Sequence, residues 1–380
     1  MIIFLTIVLT VYSLANYYIF RRGFQALPDD KWFRIGFVVI FFIFVLSYVI
    51  GRILERYDTA GIAEFFTCLG SFWLGAMLYF ILSLLLIDIL RAVNHFIPFF
   101  PEFITSNWPK TKFIALISVV SITFILIVSG YINASNPVVK ELNIKINKKV
   151  DNLKTLRIAV ASDIHIGNII NRKRVEKLVG SFKELRPDII LLPGDILDED
   201  VAPVIREGMG EPLKSLNPRF GVWAITGNHE YIGGVNPAVK YLNSMGIKVI
   251  RDEYIEVDNK FILVGREDRD MLRFTGKNRK GISEIMKGID ESKPIILMDH
   301  QPFKLEEAVA HGVDLQLSGH THHGQLWPLN FITNLVYEVS WGYKQKENTH
   351  FYISSGYGSW GPPLRTGNTP EIVLITITFD

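Results

Sequence analysis

Cysteine is nearly missing from this chain. Cys68 is the single one in 380 residues, which excludes an intrachain disulfide and any cysteine-based metal cluster. This scarcity fits the cytoplasm and leaves the periplasm open. A charge imbalance is missing too: 40 Lys and Arg against 38 Asp and Glu give a formal net charge of +2. No basic stripe with interleaved aromatics occurs, so no nucleic-acid partner is expected. Internal repeats and low-complexity tracts are absent as well. The last shortage is local. Residues 1–132 run in long uncharged apolar stretches, whereas 133–380 has ordinary soluble composition.

A bilayer crossing needs roughly 20 apolar residues. Four segments meet that need, at about 1–20, 35–50, 65–87 and 113–132. The first lacks the basic start and small-residue cleavage site of a signal peptide, so it reads as an uncleaved span. Asp88 and Arg91, three apart at the end of the third, can pair on one helix face near the headgroups. An integral membrane protein is expected, in a bacterial inner or plasma membrane. Seven Lys and Arg in the loops after spans one and three face two, Arg52 and Arg56, after span two. That count favours an extracytoplasmic C-terminal domain. Lys140, Lys145, Lys148 and Lys149 then cut the margin to seven against six.

Residues 133–152 read as a connector, with a strand in 142–146, and 153–380 as one domain. An α/β rhythm runs through it. Strands are predicted at 156–161, 189–192, 222–226, 261–264, 295–298, 315–317, 351–354 and 372–378. The clearest helix is 172–186, with Val175, Leu178, Val179, Phe182 and Leu185 on one stripe and Pro187 ending it. Further helices are predicted at 237–244, 282–287 and 304–311.

Metal-competent side chains follow five of these strands at once. They are Asp163 and His165, then Asp195 and Asp198, then Asn228, His229 and Glu230, then Asp299 and His300, then His320 and His322. Five of the nine histidines fall in these places. In open α/β sheets the ligand crevice lies beyond the carboxyl ends of the strands, so these residues should meet in space. The N/O donor set without sulfur suits Mn, Fe or Zn.

The ordered motifs DxH, GDxxD, GNHE, a later His and GHxH resemble those of the calcineurin-like metallophosphoesterases. The GHTHxGQ form resembles their membrane-attached bacterial branch. The resemblance implies an α+β chain: a four-helix transmembrane region followed by a four-layer αββα sandwich around two divalent metal ions. It also implies the ligand roles. Asp163, His165 and His322 would hold one metal, Asn228, His300 and His320 the other, with Asp195 bridging. His229 would act on the leaving group, oriented by Asp198 or Glu230. Two such ions can share a hydroxide and clamp an in-line displacement at phosphorus. His323 stands where the branch often has glycine and reads as a loop residue or a further ligand.

Arg266, Arg269 and Arg365 are candidates for a second phosphate, since guanidinium matches phosphate bidentately. Trp360 and Tyr357 are candidates to stack on substrate. The stretch 201–216 could cover the site or rest on the bilayer. Fusion to membrane spans favours a lipid-linked or amphipathic phosphoester and membrane lipids as partners. The alternatives are a broad phosphodiesterase or nucleotide hydrolase merely tethered to the membrane, and a catalytically silent sensor or scaffold. The complete ligand set argues against the silent reading. Some members of the branch are UDP-diacylglucosamine pyrophosphohydrolases, which work on the cytoplasmic side; the charge count points the other way.

Overall fold

A computed structural model describes residues 2–54 and 60–380. Met1 and Arg56, used above, lie outside the described residues. The chain divides into two compact units, Met1–Ile132 with Gly361–Leu364 and Asn133–Trp360 with Arg365–Asp380.

The first unit is helical: α1 (Ile2–Ala26), α2 (Lys31–Leu54), α3 (Ala60–Phe96), the single turn α4 (Glu102–Thr105) and α5 (Trp108–Ala134). Among the described residues three helices are long and apolar enough to cross a membrane: Lys31–Leu54, Gly61–Phe96 and Trp108–Ala134. The sequence predicts four. The first predicted span does form α1. The unit is turned inside out relative to a soluble bundle. Ile40, Phe65 and Phe124 are more than half exposed while Asn16, Ser47 and Ser71 are buried, the distribution expected in lipid. Trp73 donates its indole N–H to Asn16 at 2.9 Å, satisfying both inside the bundle.

The second unit holds twelve strands in two six-stranded sheets. They are β1 (Val138–Ile146), β2 (Thr155–Val160), β3 (Ile189–Pro193), β4 (Val222–Ile225), β5 (Ile247–Val249), β6 (Glu253–Val257), β7 (Phe261–Gly265), β8 (Ile295–Met298), β9 (Leu315–Ser318), β10 (Gly342–Lys346), β11 (Thr349–Ile353) and β12 (Glu371–Phe379). One sheet has the order β1-β12-β2-β3-β4-β5 and the other β10-β11-β9-β8-β7-β6. The predicted connector therefore includes a sheet strand: β1 pairs in parallel with β12 over its whole length.

Strand alternation fixes the layers. Leu156, Ile158 and Val160 of β2 pack with Leu263, Ile296, Met298 and Leu317 of the other sheet in a central core. Their neighbours Ala159, Ile190 and Leu192 face outward onto α6 (Arg172–Leu185) and the helix Val235–Ser244. Ile262, Val264 and Leu297 do the same beneath Ile282, Ile285 and Leu305. The result is αββα. Residues 201–216 form a short helix, Val201–Arg206, and a 3₁₀ turn, Glu211–Ser215. Val201, Val204, Met209 and Leu213 are buried in the outer core, while Ile205 is 55% exposed.

Candidate metal centre

Strands β2, β3, β4, β8 and β9 are neighbours within their sheets, and each ends just before one of the five motifs. The loops that follow bend sharply. Asp163, His165, Asp195, His320 and His322 all have positive φ, between 45° and 70°. Non-glycine residues rarely adopt this region, and such outliers cluster at functional sites. Two glycines let the loops close up. A Cβ on Gly227 would lie 2.1 Å from an Asp195 carboxylate oxygen, and one on Gly319 2.2 Å from Asp163. Any side chain at either position would push a carboxylate out of the site.

The donor atoms converge. His165 Nε2 and His322 Nε2 are 3.1 Å apart, with Asp163 Oδ1 3.5 Å from His322 Nε2. His300 Nε2 is 3.1 Å from Asp195 Oδ2, and His320 Nδ1 is 2.9 Å from Asn228 Oδ1. Asp195 Oδ2 also lies 4.0 Å from His165 Nε2. For metal–ligand bonds of about 2.1 Å, neighbouring ligands sit roughly 3.0–3.4 Å apart; the His165–His322 and His300–Asp195 pairs, at 3.1 Å, have that spacing. Three sets could each hold a cation: Asp163 with His165 and His322, His165 with Asp195 and His229, and Asp195 with His300 and His320. His165 and Asp195 are shared between sets. All these residues but His320 are buried. The donor set fits divalent metal.

Electrostatics prepares the same function. Burial, then the neighbouring His229, holds His165 down at about 3; burial and His300 bring His320 to about 3. Burial and Arg365 hold His322 well below the usual imidazole range. These rings are neutral, as a metal ligand must be. Burial raises Asp163 to about 6, although His300 opposes the shift. Burial also opposes ionisation of Asp195, but His300 and His229 outweigh it and keep this carboxylate charged. The ring of His300 is fixed from behind, its Nδ1 bonding the Pro193 carbonyl at 2.8 Å, which points Nε2 at Asp195.

His229 differs in charge from His165, His320 and His322. Burial disfavours its proton, but Asp195 and Asp198 prevail and lift it to about 9. Asp198 Oδ1 lies 3.3 Å from His229 Nδ1. Glu230, the other candidate to orient this ring, is occupied elsewhere. Its carboxylate accepts from the backbone N–H groups of Asp195, Ile196, Leu197 and Gly227 at 3.1, 2.8, 2.9 and 2.7 Å. It ties the Asp195 loop to the Asn228 loop, a role the GNHE motif alone does not reveal.

The three arginines separate. Arg266 is buried and donates to Asp299 at 2.9 Å and Glu307 at 3.2 Å. Arg365 is fully buried; it donates to the carbonyls of Ser355 and Gly358 and to Asn368, and its Nη2 lies 2.9 Å from His322 Nδ1. Both guanidiniums are committed to the chain, so neither presents itself to a phosphate. Only Arg269 is exposed, lying over the Phe303 ring at 4.4 Å. Asp299 pairs with Arg266 and Arg279 and does not join the donor sets. His323 bonds Ser340 and packs on Trp341, which places it outside them as well. Tyr357 is buried and donates to the Arg174 carbonyl at 2.8 Å, whereas Trp360 is 55% exposed with its ring 6.0 Å from that of His229. Because Arg365 braces the His322 loop, Arg365→Lys should lower the melting temperature by about 5 °C and weaken metal retention. A thermal melt with and without Mn²⁺ checks this.

Carboxylates and imidazoles converging at the carboxyl ends of two facing sheets define a metal-dependent hydrolytic centre. The calcineurin-like phosphoesterase family profile matches residues 156–324. An uncharacterized metallophosphoesterase of Aquifex aeolicus is 34% identical over 224 residues, covering 58% of this chain and 85% of the relative. A "transmembrane protein with metallophosphoesterase domain" of Danio rerio is 33% identical over 269 residues, covering 67% of this chain, which spans 61% of that relative's length. An uncharacterized metallophosphoesterase of Campylobacter jejuni is 28% identical across 99% of this chain and 98% of its own. This chain belongs to the calcineurin-like metallophosphoesterase family. It is a divalent-metal-dependent phosphoester hydrolase built onto membrane-spanning helices.

Proposed function

We propose that the site is binuclear and cleaves a phosphoester or pyrophosphate bond in a lipid-linked or amphipathic substrate. Asp163, His165 and His322 would hold one metal and Asn228, His300 and His320 the other, with Asp195 a ligand shared by both. The observation that carries this reading is the sharing of His165 and Asp195 between adjacent donor sets. Two divalent ions, when bound, supply a lowered water pKa and Lewis-acid polarisation of the phosphoryl oxygens.

The chain's own residues supply the rest. His229, protonated near neutrality, gives its proton to the leaving oxygen from the ring nitrogen turned away from Asp198. Asp198 positions that ring and favours its charged form. Arg269, exposed and close enough for its charge to lower the pKa of His320, is the guanidinium offered to substrate. Trp360, on the His229 side, offers an exposed apolar face for the body of an amphipathic leaving group. The membrane helices support a substrate presented at the lipid surface.

The test is hydrolysis by purified full-length protein with Mn²⁺, across lipid-linked pyrophosphates, phospholipids and soluble diesters, with Asn228→Ala as control. Selective turnover of one lipid class, lost in the variant, is expected. Equal turnover of soluble diesters would reduce the helices to a tether. The proton donor gives a second prediction. A histidine with a raised pKa is protonated below it and loses the proton as pH rises through it, so the rate should fall on an alkaline limb. Bound metal offsets the charge of Asp195 and brings that limb below 9. Asp198→Asn should move it about one further pH unit down and lower the rate about tenfold. An unmoved limb in a pH–rate profile would remove His229 from the role.

A further inference from the structure

The helical unit contains a cavity that the phosphoesterase reading does not use. Its volume is about 540 Å³, and it lies between α1, α2, α3 and α5. Along α3 its wall runs from Trp73 to Arg91, about 27 Å at 1.5 Å per residue and close to the thickness of a bilayer's hydrocarbon core. Phe41, Phe44, Phe80 and Val119 make its length apolar. One end is different. There Arg22, Asp88, Arg91 and Lys112 line the wall, and a second cavity of about 500 Å³ opens from the same Arg22, Asp88 and Arg91 toward Asn94 and His95.

The charges at this end do not balance. Asp88 accepts from Tyr18 at 2.7 Å and from Arg22, and Arg91 lies 3.5 Å from its other oxygen. One carboxylate thus answers three cations, Arg22, Arg91 and Lys112, at the mouth of an apolar trough. Excess positive charge beside hydrocarbon is costly unless an anion joins it, and basic pockets between transmembrane helices suit phosphate headgroups. Trp108, lining both cavities and 38% exposed, is the aromatic expected at headgroup depth. The shape calls for an anion joined to long apolar chains. We infer that this cavity is a binding site for an anionic phospholipid, with its phosphate between Arg22, Arg91 and Lys112 and an acyl chain along α3 toward Trp73. The inference does not depend on what the metal centre hydrolyses.

Full-length protein, delipidated in a neutral detergent, would be offered equal amounts of phosphatidylglycerol and phosphatidylcholine and read by native mass spectrometry. Phosphatidylglycerol should be retained about 25-fold better. Each cation removed should cost about fivefold, so Arg91→Gln with Lys112→Gln should bring the two lipids nearly level. Ala115→Trp, which intrudes on the apolar wall, should reduce retention of both. Millimolar inorganic phosphate should not displace the lipid. Melting temperature and hydrolysis of a soluble diester should be unchanged in the charge variants. If the double variant fails to fold, Lys112→Gln alone, at an exposed position, still reads the charge. Equal retention of both lipids by the unaltered protein, undiminished selectivity in the charge variants, or displacement by phosphate would each overturn the assignment.

Discussion

Asp195→Asn should lower phosphoester hydrolysis by at least about 10³-fold at saturating Mn²⁺, with the melting temperature of the metal-free protein changed far less than the rate. Asp195 is where the three buried histidines His165, His229 and His300 find their common anion. Losing its charge removes a ligand from both proposed metals and the main electrostatic support for the proton on His229. Asn228→Ala should cost less, about 10²-fold, because it deletes one neutral donor beside His320. Metal analysis separates the causes. The Asp195→Asn protein should retain at most one ion per chain where two are expected of the unaltered protein, and proton release on metal binding should shrink. Metal-free His300 carries a proton, since Asp195 lifts it well above the usual imidazole range against the effect of burial; a ligand must give that proton up. Two ions retained by Asp195→Asn, with a rate within tenfold of the original, would refute the bridging role.

The central strands were legible because they are buried on both faces and read as uninterrupted apolar runs. Ile189–Pro193 and Ile295–Met298 lie within a residue of where the sequence puts them. The strands with no sequence signal are β5, β6 and β10, and each is a sheet edge. β5 has only three residues, β6 carries Glu253 and Glu256, and β10 carries Lys344 and Lys346. Edges guarded by shortness and charge lose the pattern that identifies a strand. The site was legible for a related reason: its residues follow the readable central strands directly. Arg266 and Arg365 were misread because a guanidinium's partners are distant in sequence. Asp299 and Glu307 claim the first, while Ser355, Gly358 and Asn368 claim the second. Local spacing carries no trace of such pairings.

Glu230→Gln should destabilise the catalytic unit by about 2–3 kcal/mol, and Glu230→Ala by about 4 kcal/mol. Glu230 is fully buried, and its two oxygens accept four backbone N–H groups from two loops. Each bond to a charged acceptor contributes about 1.5–3 kcal/mol, but the four share one side chain and are not additive. Burial and the nearby Asp195 push the carboxyl up to about 7, against the donors Leu197 and Gly227; the clamp is held in tension by the charge it serves to place. A glutamine keeps one oxygen for two donors and sets an amide NH₂ against the other two. A unit of this size should lose roughly 2–4 °C per kcal/mol, so the Gln form should melt about 5–10 °C lower. Its rate should fall as well, because the same bonds position Asp195, whose Oδ1 also accepts from the His229 N–H at 2.9 Å. Excess Mn²⁺ should recover much of that rate, as binding to the native state pulls the loops back into place, whereas no metal concentration should rescue Asp195→Asn. Melting within 1–2 °C of the unaltered protein, or a rate deficit that added metal leaves untouched, would show that Glu230 acts on the chemistry directly and not through the loops it joins.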